Sequence, residues 1–416
     1  MRLGIYPDEL KDRLSRKNNI WIHAVSVGEI MVAKILVDMI KKDLSQHNIV
    51  ISTVTETGNS VARKIMSADA TIIYLPLDIT FAIERAIELI RPVIFIIIET
   101  EIWPNLIRRL YKKSIPILLS NGRISPNSYR WYLLIKPILK NILDCITSFY
   151  MRTEEDRNKI ISLGAEAGKV DVSGNMKFDS VDFHINEEER VKMYELLNLE
   201  HRKLIVAGST HPGEEEIILK AYDRLKKKYN DISLLIAPRH IERTEDVAKL
   251  VKSHNFTAIK ISELTYDLQL TTASARTNKC EQATSAAEQV RRHNYPVYIL
   301  DTIGQLKLFY SLAWIVFVGG SLIKHGGQNM IEPACFGKPI LFGPYTFNFK
   351  DIAALFLSKK VALLVKDEAS LAEAIEMMYR DETLAKDMGE RVKGVVRNNQ
   401  GAAARTYNAI KTILQY

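Results

Sequence analysis

Cysteine is scarce: the chain has three in 416 residues, Cys145, Cys280 and Cys335. Their wide separation excludes paired metal-ligand spacing and the disulfide framework of a small secreted domain. It fits a reducing cytosolic compartment. Cys145 and Cys335 have apolar neighbours and read as small core residues. Long apolar runs are missing as well. The longest, at 92–98, falls far short of the ~18–20 residues that span a bilayer and has the length of a buried strand. No apolar core with a cleavage site opens the N-terminus, so no signal peptide is expected. Equally absent are Gly-x-Gly-x-x-Gly behind the first strand-like run, a Gly-Lys-Ser/Thr phosphate loop, a Cys/His cluster, and the Asp-x-Asp that holds a divalent ion on a sugar nucleotide. A phosphate bound by this chain must be met by arginine, lysine and helix N-termini.

What is present is a core-forming composition, 47% hydrophobic, in a chain long enough for two or three domains. The formal net charge of +8 is compatible with nucleic acid, an anionic membrane or a phosphorylated substrate. The basic residues are dispersed and show no aromatic-interleaved recognition motif, which argues against nucleic acid. The chain repeats a short apolar run, a polar turn and an amphipathic stretch. Strand-like runs fall at 20–25, 49–54, 71–75, 93–98, 115–119 and 149–151, then at 203–207, 233–237, 297–300, 314–318, 340–342 and 361–365. Helical patterns between them include 29–44, 213–227 and 370–379. Runs that are apolar throughout suit parallel strands covered on both faces, and their repetition with helices predicts α/β, doubly wound parallel sheets. The rhythm breaks between 178 and 201, where charge dominates. The expected organisation is a first domain at 1–180, a linker at 181–200 and a second domain at 201–397. A helical stretch at 398–416 packs on its own domain or crosses back to the first. The two domains are expected to face each other across a cleft. A polar stretch at 265–294, which includes Cys280, reads as an insertion without chemistry.

The polar residues cluster just behind the apolar runs, where open parallel sheets bind ligands. In the first half these are His23 to Glu29, Thr53 to Gly58, Glu99 to Asn105 and Ser120 to Ser125. In the second half they are Gly208, Ser209 and Thr210, then Pro238, Arg239 and His240, then Asp301 and Thr302, then Gly319 and Gly320. Residues 317–344 carry two glycine pairs, Gly319-Gly320 and Gly326-Gly327, before a helical pattern opening at Asn329 with Glu332 in its first turn. This segment is either a nucleotide cradle or a tight strand-loop-helix turn capped by Asn329. Glu29 follows a Ser-x-Gly turn. It reads as a base held ionised by a helix N-terminus, or as a first-turn glutamate stabilising its own helix. Glu99 and Glu101 are either a salt-bridged and a solvated pair or a carboxylate beside a reacting centre. Arg239 offers a fork of donors to phosphate or a surface ion pair. Lys177 holds an anionic group or is solvated. Trp103 reads as packing.

Taken in order, these clusters resemble the 3-deoxy-D-manno-oct-2-ulosonic acid (Kdo) transferases, inverting glycosyltransferases of the GT-B type. The matching stretches are HAVSVGE (23–29), YLPLD (74–78), IETEIWPN (98–105), SNGRIS (120–125), GNMKFD (174–179), AGST (207–210), APRH (237–240), LDTIGQL (300–306), FVGGS (317–321), GGQNMIEP (326–333), GKPILFGP (337–344) and NF (348–349). They span nearly the whole chain. The resemblance implies transfer of Kdo from CMP-Kdo to a lipid A precursor, lipid IV(A), in lipopolysaccharide core biosynthesis. It implies the cytoplasmic face of the bacterial inner membrane as the setting. It implies Glu29 as general base, with Glu99 and Lys177 supporting the transition state. It implies CMP contacts from Pro238 and Arg239, from Ile303, Gly304 and Gln305, and from Asn329, Met330, Ile331 and Glu332. The strand-end residues Ser209, Thr210, Gly319 and Gly320 are further candidates. No cofactor or metal is expected.

Three departures stand out. Relatives usually carry an apolar anchoring segment ahead of an Arg-Leu-Gly stretch, whereas Arg2-Leu3-Gly4 stands at the start here, so a peripheral form is expected. Gln328 stands where relatives usually have histidine, and Gln305 where they usually have glutamate. Rival readings are another GT-B sugar-nucleotide enzyme, such as an epimerase or a UDP-donor transferase, and an inactive lipid-binding relative.

Overall fold

A computed structural model describes residues 1–15, 18–181, 184–264 and 296–415. The stretch expected as an insertion at 265–294, Cys280 included, lies outside the described residues. The chain divides into two compact units, Met1–Ser180 with Asn399–Tyr416, and Val181–Asn398.

The first unit is built on β1 (Asn19–His23), β2 (Asn48–Thr53), β3 (Thr71–Tyr74), β4 (Pro92–Ile98), β5 (Ile117–Gly122), β6 (Ser148–Met151) and β7 (Val170–Val172). They form a seven-stranded parallel sheet in the order β3-β2-β1-β4-β5-β6-β7. Both faces are covered, and the strand period shows which side chain serves which face. Ile20 and Ile22 of β1 enter one core with Leu36, Val37 and Ile96, while Trp21 between them enters the other with Phe95, Ile97 and Leu106. This two-sided burial is why the strands read as unbroken apolar runs. Helices between the strands start on recognisable caps. Ser26, Thr55, Ser125 and Thr153 accept a backbone N–H at the starts of Val27–Asp43, Glu56–Met66, Pro126–Leu134 and Glu154–Ser162. Asp78 accepts from the N–H groups of Asn105 (3.1 Å) and Leu106 (2.9 Å). The YLPLD and WPN stretches are thereby joined as the cap of helix Pro104–Lys112.

The second unit holds β8 (Lys203–Thr210), β9 (Ile232–Pro238), β10 (Thr257–Lys260), β11 (Pro296–Ile299), β12 (Ile315–Val318), β13 (Ile340–Phe342) and β14 (Ala362–Leu364). They again form a parallel sheet, in the order β10-β11-β9-β8-β12-β13-β14. Ile205, Ala207, Leu234, Ile236 and Phe317 pack with Leu219 and Tyr222 beneath it.

Two strands escape sequence reading, β7 and β10. Both lie at a sheet edge, where one side lacks a neighbour and a short polar-interrupted segment suffices. The segment 181–200 carries a helix, Glu187–Leu196, capped by Asn186 and belonging to the second unit. After helix Glu382–Asn399, a last helix, Ala402–Ile413, joins the first unit. Its Ala402, Ala403, Tyr407 and Ile410 are buried in the core with Ile20 and Leu36. Asp179 caps its start, accepting from Gly401 N–H at 2.6 Å and Ala403 N–H at 2.7 Å.

Candidate active site

In the first sheet the strand order reverses between β1 and β4, the switch point where open α/β sheets bind ligands. Glu29 sits there, in the first turn of helix Val27–Asp43 behind β1. Its backbone N–H donates to Ser26 Oγ at 3.2 Å, and its Oε2 accepts from Val25 N–H at 2.7 Å. The carboxylate is buried and its position fixed. Burial pushes its pKa up, the Val25 hydrogen bond opposes this, and the charge of Glu99 raises it further. A raised but hydrogen-bonded carboxylate is suited to accept a proton. Thr55 joins the β2 end to this turn by donating to Val25 O at 3.0 Å. His23 lies buried below. Trp103 Nε1–H donates to its Nε2 at 3.1 Å, its Nδ1 faces Ser52, and burial pushes its pKa down to about 4. His23 is a neutral framing group, and Trp103 orients it.

Glu99 follows β4 in a left-handed conformation, φ +63°, which costs a residue with a side chain about 1–2 kcal/mol. Its carboxylate pairs with Arg152, whose side chain is 4% exposed. Glu101, half-buried nearby, makes no hydrogen bond or ion pair among the described residues. Burial, then the charges of Glu29 and Glu99, push it up to about 7. Glu99 is therefore the salt-bridged member of the pair, and Glu101 is a carboxyl without a partner. Lys177 comes from beyond the far edge of the sheet, on a 3-10 turn Met176–Ser180. The turn lies against the start of helix Val27–Asp43. A Cβ built on Gly28 would stand 3.9 Å from Lys177 Nζ. The structure thus brings Glu29 and Glu99, from the centre of the first unit's sheet, together with Lys177 from beyond its β7 edge.

In the second unit the switch point falls between β8 and β12. The candidates lie behind four adjacent strands, β11, β9, β8 and β12. Ser209 is left-handed at φ +56°. A Cβ on Gly319 would collide with Ser209 O, so only glycine lets the β8 and β12 ends approach this closely. Two buried glutamates hold these ends. Glu214 Oε2 accepts from Gly320 N–H (2.6 Å) and His211 N–H (3.0 Å), and its Oε1 accepts from Ser321 and Leu322 N–H (both 2.9 Å). Glu215 accepts from Thr210 Oγ1 at 2.9 Å and Arg243 at 2.8 Å. The glycine loop is thus a carboxylate-clamped turn whose first N–H groups are already used. The cradle reading narrows to the groups around it.

Around it, Arg239 is exposed behind β9, with its backbone N–H donating to Thr210 O at 2.9 Å. Its guanidinium makes no hydrogen bond or ion pair among the described residues. Asn329 donates to Glu332 Oε1 at 3.0 Å and accepts from Ile331 N–H at 3.1 Å. Burial raises Glu332, while Asn329, Lys307 and Arg239 hold it down. The helix here runs Ile331–Cys335, starting two residues later than the sequence pattern implies, because Asn329 caps Ile331 from outside. Met330 and Ile331 are buried, and Ile331 N–H is already taken by Asn329, so the structure leaves neither residue open at the surface. Ile303 is 87% exposed beside Gly304 at φ +89°. Gln305 accepts from Thr302 Oγ1 and donates to Glu189 Oε1 at 3.4 Å. Gln328 Nε2 lies 3.1 Å from His211 Nε2. His211, stacked on His325 at 4.1 Å, is pushed down to about 4 by burial and then by neighbouring cationic groups. Gln328 donates to a neutral imidazole here, a role that needs no charge.

A family model described as 3-deoxy-D-manno-octulosonic-acid transferase (kdotransferase) matches residues 1–180. The 3-deoxy-D-manno-octulosonic acid transferase of Haemophilus influenzae is 34% identical over 399 residues, covering 95% of this chain and 87% of that protein. This chain belongs to the Kdo transferase family.

The Kdo transferase chain is a glycosyltransferase. It is also similar to a bifunctional glycosyltransferase/methyltransferase of Fusobacterium nucleatum, 35% identical over 396 residues. That match takes in 94% of this chain and 56% of that protein, so the chain spans just over half of that relative. A UDP-GlcNAc 2-epimerase from Neisseria meningitidis, solved with UDP-GlcNAc, superposes with a TM-score of 0.54 at 13% identity, covering 95% of this chain and 99% of that one. That likeness shows the GT-B type fold.

Sequence reading passed over several residues that build this Kdo transferase's site. Glu214 and Glu215 lie in the first turn of helix Glu214–Lys226, where glutamates are common. Their signal is the His-Pro-Gly turn ahead of them, which starts a helix behind a strand end. Arg152 gives no signal beyond its place behind a strand, and Asn121 reads only as one member of the Ser120 to Ser125 cluster. Their partners lie 53 and 55 residues away.

Proposed function

We propose that this Kdo transferase moves Kdo from CMP-Kdo to a lipid A precursor, lipid IV(A), with inversion, as a step of lipopolysaccharide core assembly. The observation that carries this reading is Glu29, a buried carboxylate aimed from the switch point of the first sheet and held by Val25 N–H. The acceptor hydroxyl oxygen attacks the anomeric carbon of Kdo while its proton passes to Glu29. The bond from that carbon to the CMP phosphate oxygen breaks, and CMP leaves with the electron pair. Lys177 and the Glu99–Arg152 pair supply charge beside the reacting centre. Arg239 meets the phosphate of CMP, and Asn329, Glu332 and the exposed turn of Ile303 and Gly304 hold the nucleoside. No step is assigned to a metal.

An apolar, cationic surface of the first unit supports action at a membrane. Among the described residues no helix is long and apolar enough to cross one. Helices Pro126–Leu134 and Lys136–Leu143, however, expose Trp131 (71%), Leu134 (73%), Ile135 and Ile138 (60%). Arg130 and Lys136 are exposed among them. Apolar side chains rimmed by cations suit the inner-membrane surface that presents the lipid acceptor.

Incubation of the chain with CMP-Kdo and a lipid A precursor tests the reading. The lipid gains the mass of one or more Kdo units, and a UDP-sugar in place of CMP-Kdo gives no product. Transfer from the UDP-sugar but not from CMP-Kdo would sink the assignment.

A further inference from the structure

Asn121 is unfavourable by every local criterion. It is fully buried and left-handed at φ +56°. It lies where the β5–β6 register breaks between Leu119 and Gly122, and its Nδ2 is buried without a hydrogen-bond partner among the described residues. A residue kept in so poor a setting usually serves a site rather than the fold. Its two acceptors show which one. Asn121 O accepts from Arg152 Nε at 3.1 Å, and Arg152 in turn pairs with Glu99. Asn121 Oδ1 accepts from Met176 N–H at 3.1 Å, at the head of the turn that carries Lys177. That turn is held on its other side by Asn175 Oδ1, which accepts from Lys177 N–H at 3.1 Å. Asp179 holds its far end by capping the last helix. The left-handed backbone lets one residue point its carbonyl at Arg152 and its side chain at Met176. An asparagine tolerates that conformation better than most side chains.

We infer that Asn121 is a positioning residue for the transfer, setting Glu99 through Arg152 and Lys177 through the Met176 turn as one unit. The inference rests on the proposed roles of Glu99 and Lys177. Misplacing such groups by about 1 Å can cost on the order of 100-fold in rate. The loss falls on kcat, because both contacts lead to groups assigned to the transition state.

The test uses the full chain, CMP-Kdo and a lipid A precursor. Asn121→Gly keeps the left-handed backbone and removes the side-chain acceptor. It should lower kcat about 10–100-fold and leave both KM values within about threefold. Asn121→Asp keeps an oxygen for Met176 N–H and should recover most of the rate. Amide exchange at Met176 should speed up in the glycine variant and return in the aspartate variant. In a Lys177→Ala background, Asn121→Gly should slow transfer little further, since the two act together. A normal kcat for Asn121→Gly overturns the inference. So does an aspartate variant as slow as the glycine one, or an equal slowing in the Lys177→Ala background. Absence of Kdo transfer by the unaltered chain is a distinct outcome. It overturns the functional reading, and this inference with it, even if exchange at Met176 still responds.

Discussion

Glu214→Gln removes the clamp on the glycine loop with the smallest change in shape. Each carboxylate oxygen of Glu214 accepts two backbone N–H groups. Glutamine keeps one oxygen and turns an NH2 group toward the other two donors. Whichever way the amide lies, two buried N–H groups lose their acceptor, either Gly320 and His211 or Ser321 and Leu322. A buried donor left unsatisfied costs about 1–3 kcal/mol, more when its lost partner was charged. The expected loss is therefore about 2–6 kcal/mol, concentrated in the second unit. Urea unfolding followed by circular dichroism gives the total. Amide exchange locates it, with Gly320, Ser321 and Leu322 exchanging faster and β1 to β4 of the first unit unchanged. A stability within about 1 kcal/mol of the parent, with unaltered exchange in the loop, would refute the clamp.

Other outcomes follow from the same geometry. Glu101 has a pKa of about 7 in the folded chain against an ordinary 4.5. Between these values the folded state holds a proton that the unfolded state has released, so stability falls as pH rises from about 4.5 to about 7. Glu101→Gln should be more stable than the parent at pH 8, by on the order of 1–2 kcal/mol after solvent screening. The gap should close below pH 4.5. A gap independent of pH contradicts the burial of Glu101 and its crowding by Glu29 and Glu99. Trp131→Ser with Leu134→Ser should weaken binding to vesicles of acidic phospholipid roughly 10–100-fold, measured by sedimentation. Transfer to a detergent-dispersed acceptor should be retained, and unchanged vesicle binding would remove this surface from the account.

The fold was legible in this sequence because its strands are buried on both faces. Ile20, Trp21 and Ile22 leave no polar face to confuse with a helix, and the turns behind the strands hold the polar candidates. Edge strands such as β7 lack that signature and were missed. The candidate site was legible only as a set of strand ends, since a parallel sheet gathers them along one side whatever their spacing. Its supports were not. Glu214 meets Gly320 across 106 residues, and nothing near Glu214 records that the loop's N–H groups need an acceptor. The fate of Glu99 and Glu101 was hidden for the same reason. Arg152 chooses Glu99 from a distant strand end and leaves Glu101 unpaired. Gln328 stands where relatives usually have histidine. It sits against a neutral His211, where an amide donor serves.

The most direct test of the account compares the parent with Glu29→Gln in Kdo transfer from CMP-Kdo to a lipid A precursor, with product counted by mass. The amide oxygen introduced by this substitution can still accept from Val25 N–H, so the variant should fold and bind CMP like the parent. It should transfer ~10²–10⁴-fold more slowly, while the parent's rate rises with pH through the raised pKa of Glu29. A Glu29→Gln variant that transfers Kdo at near the parental rate would contradict the central claim.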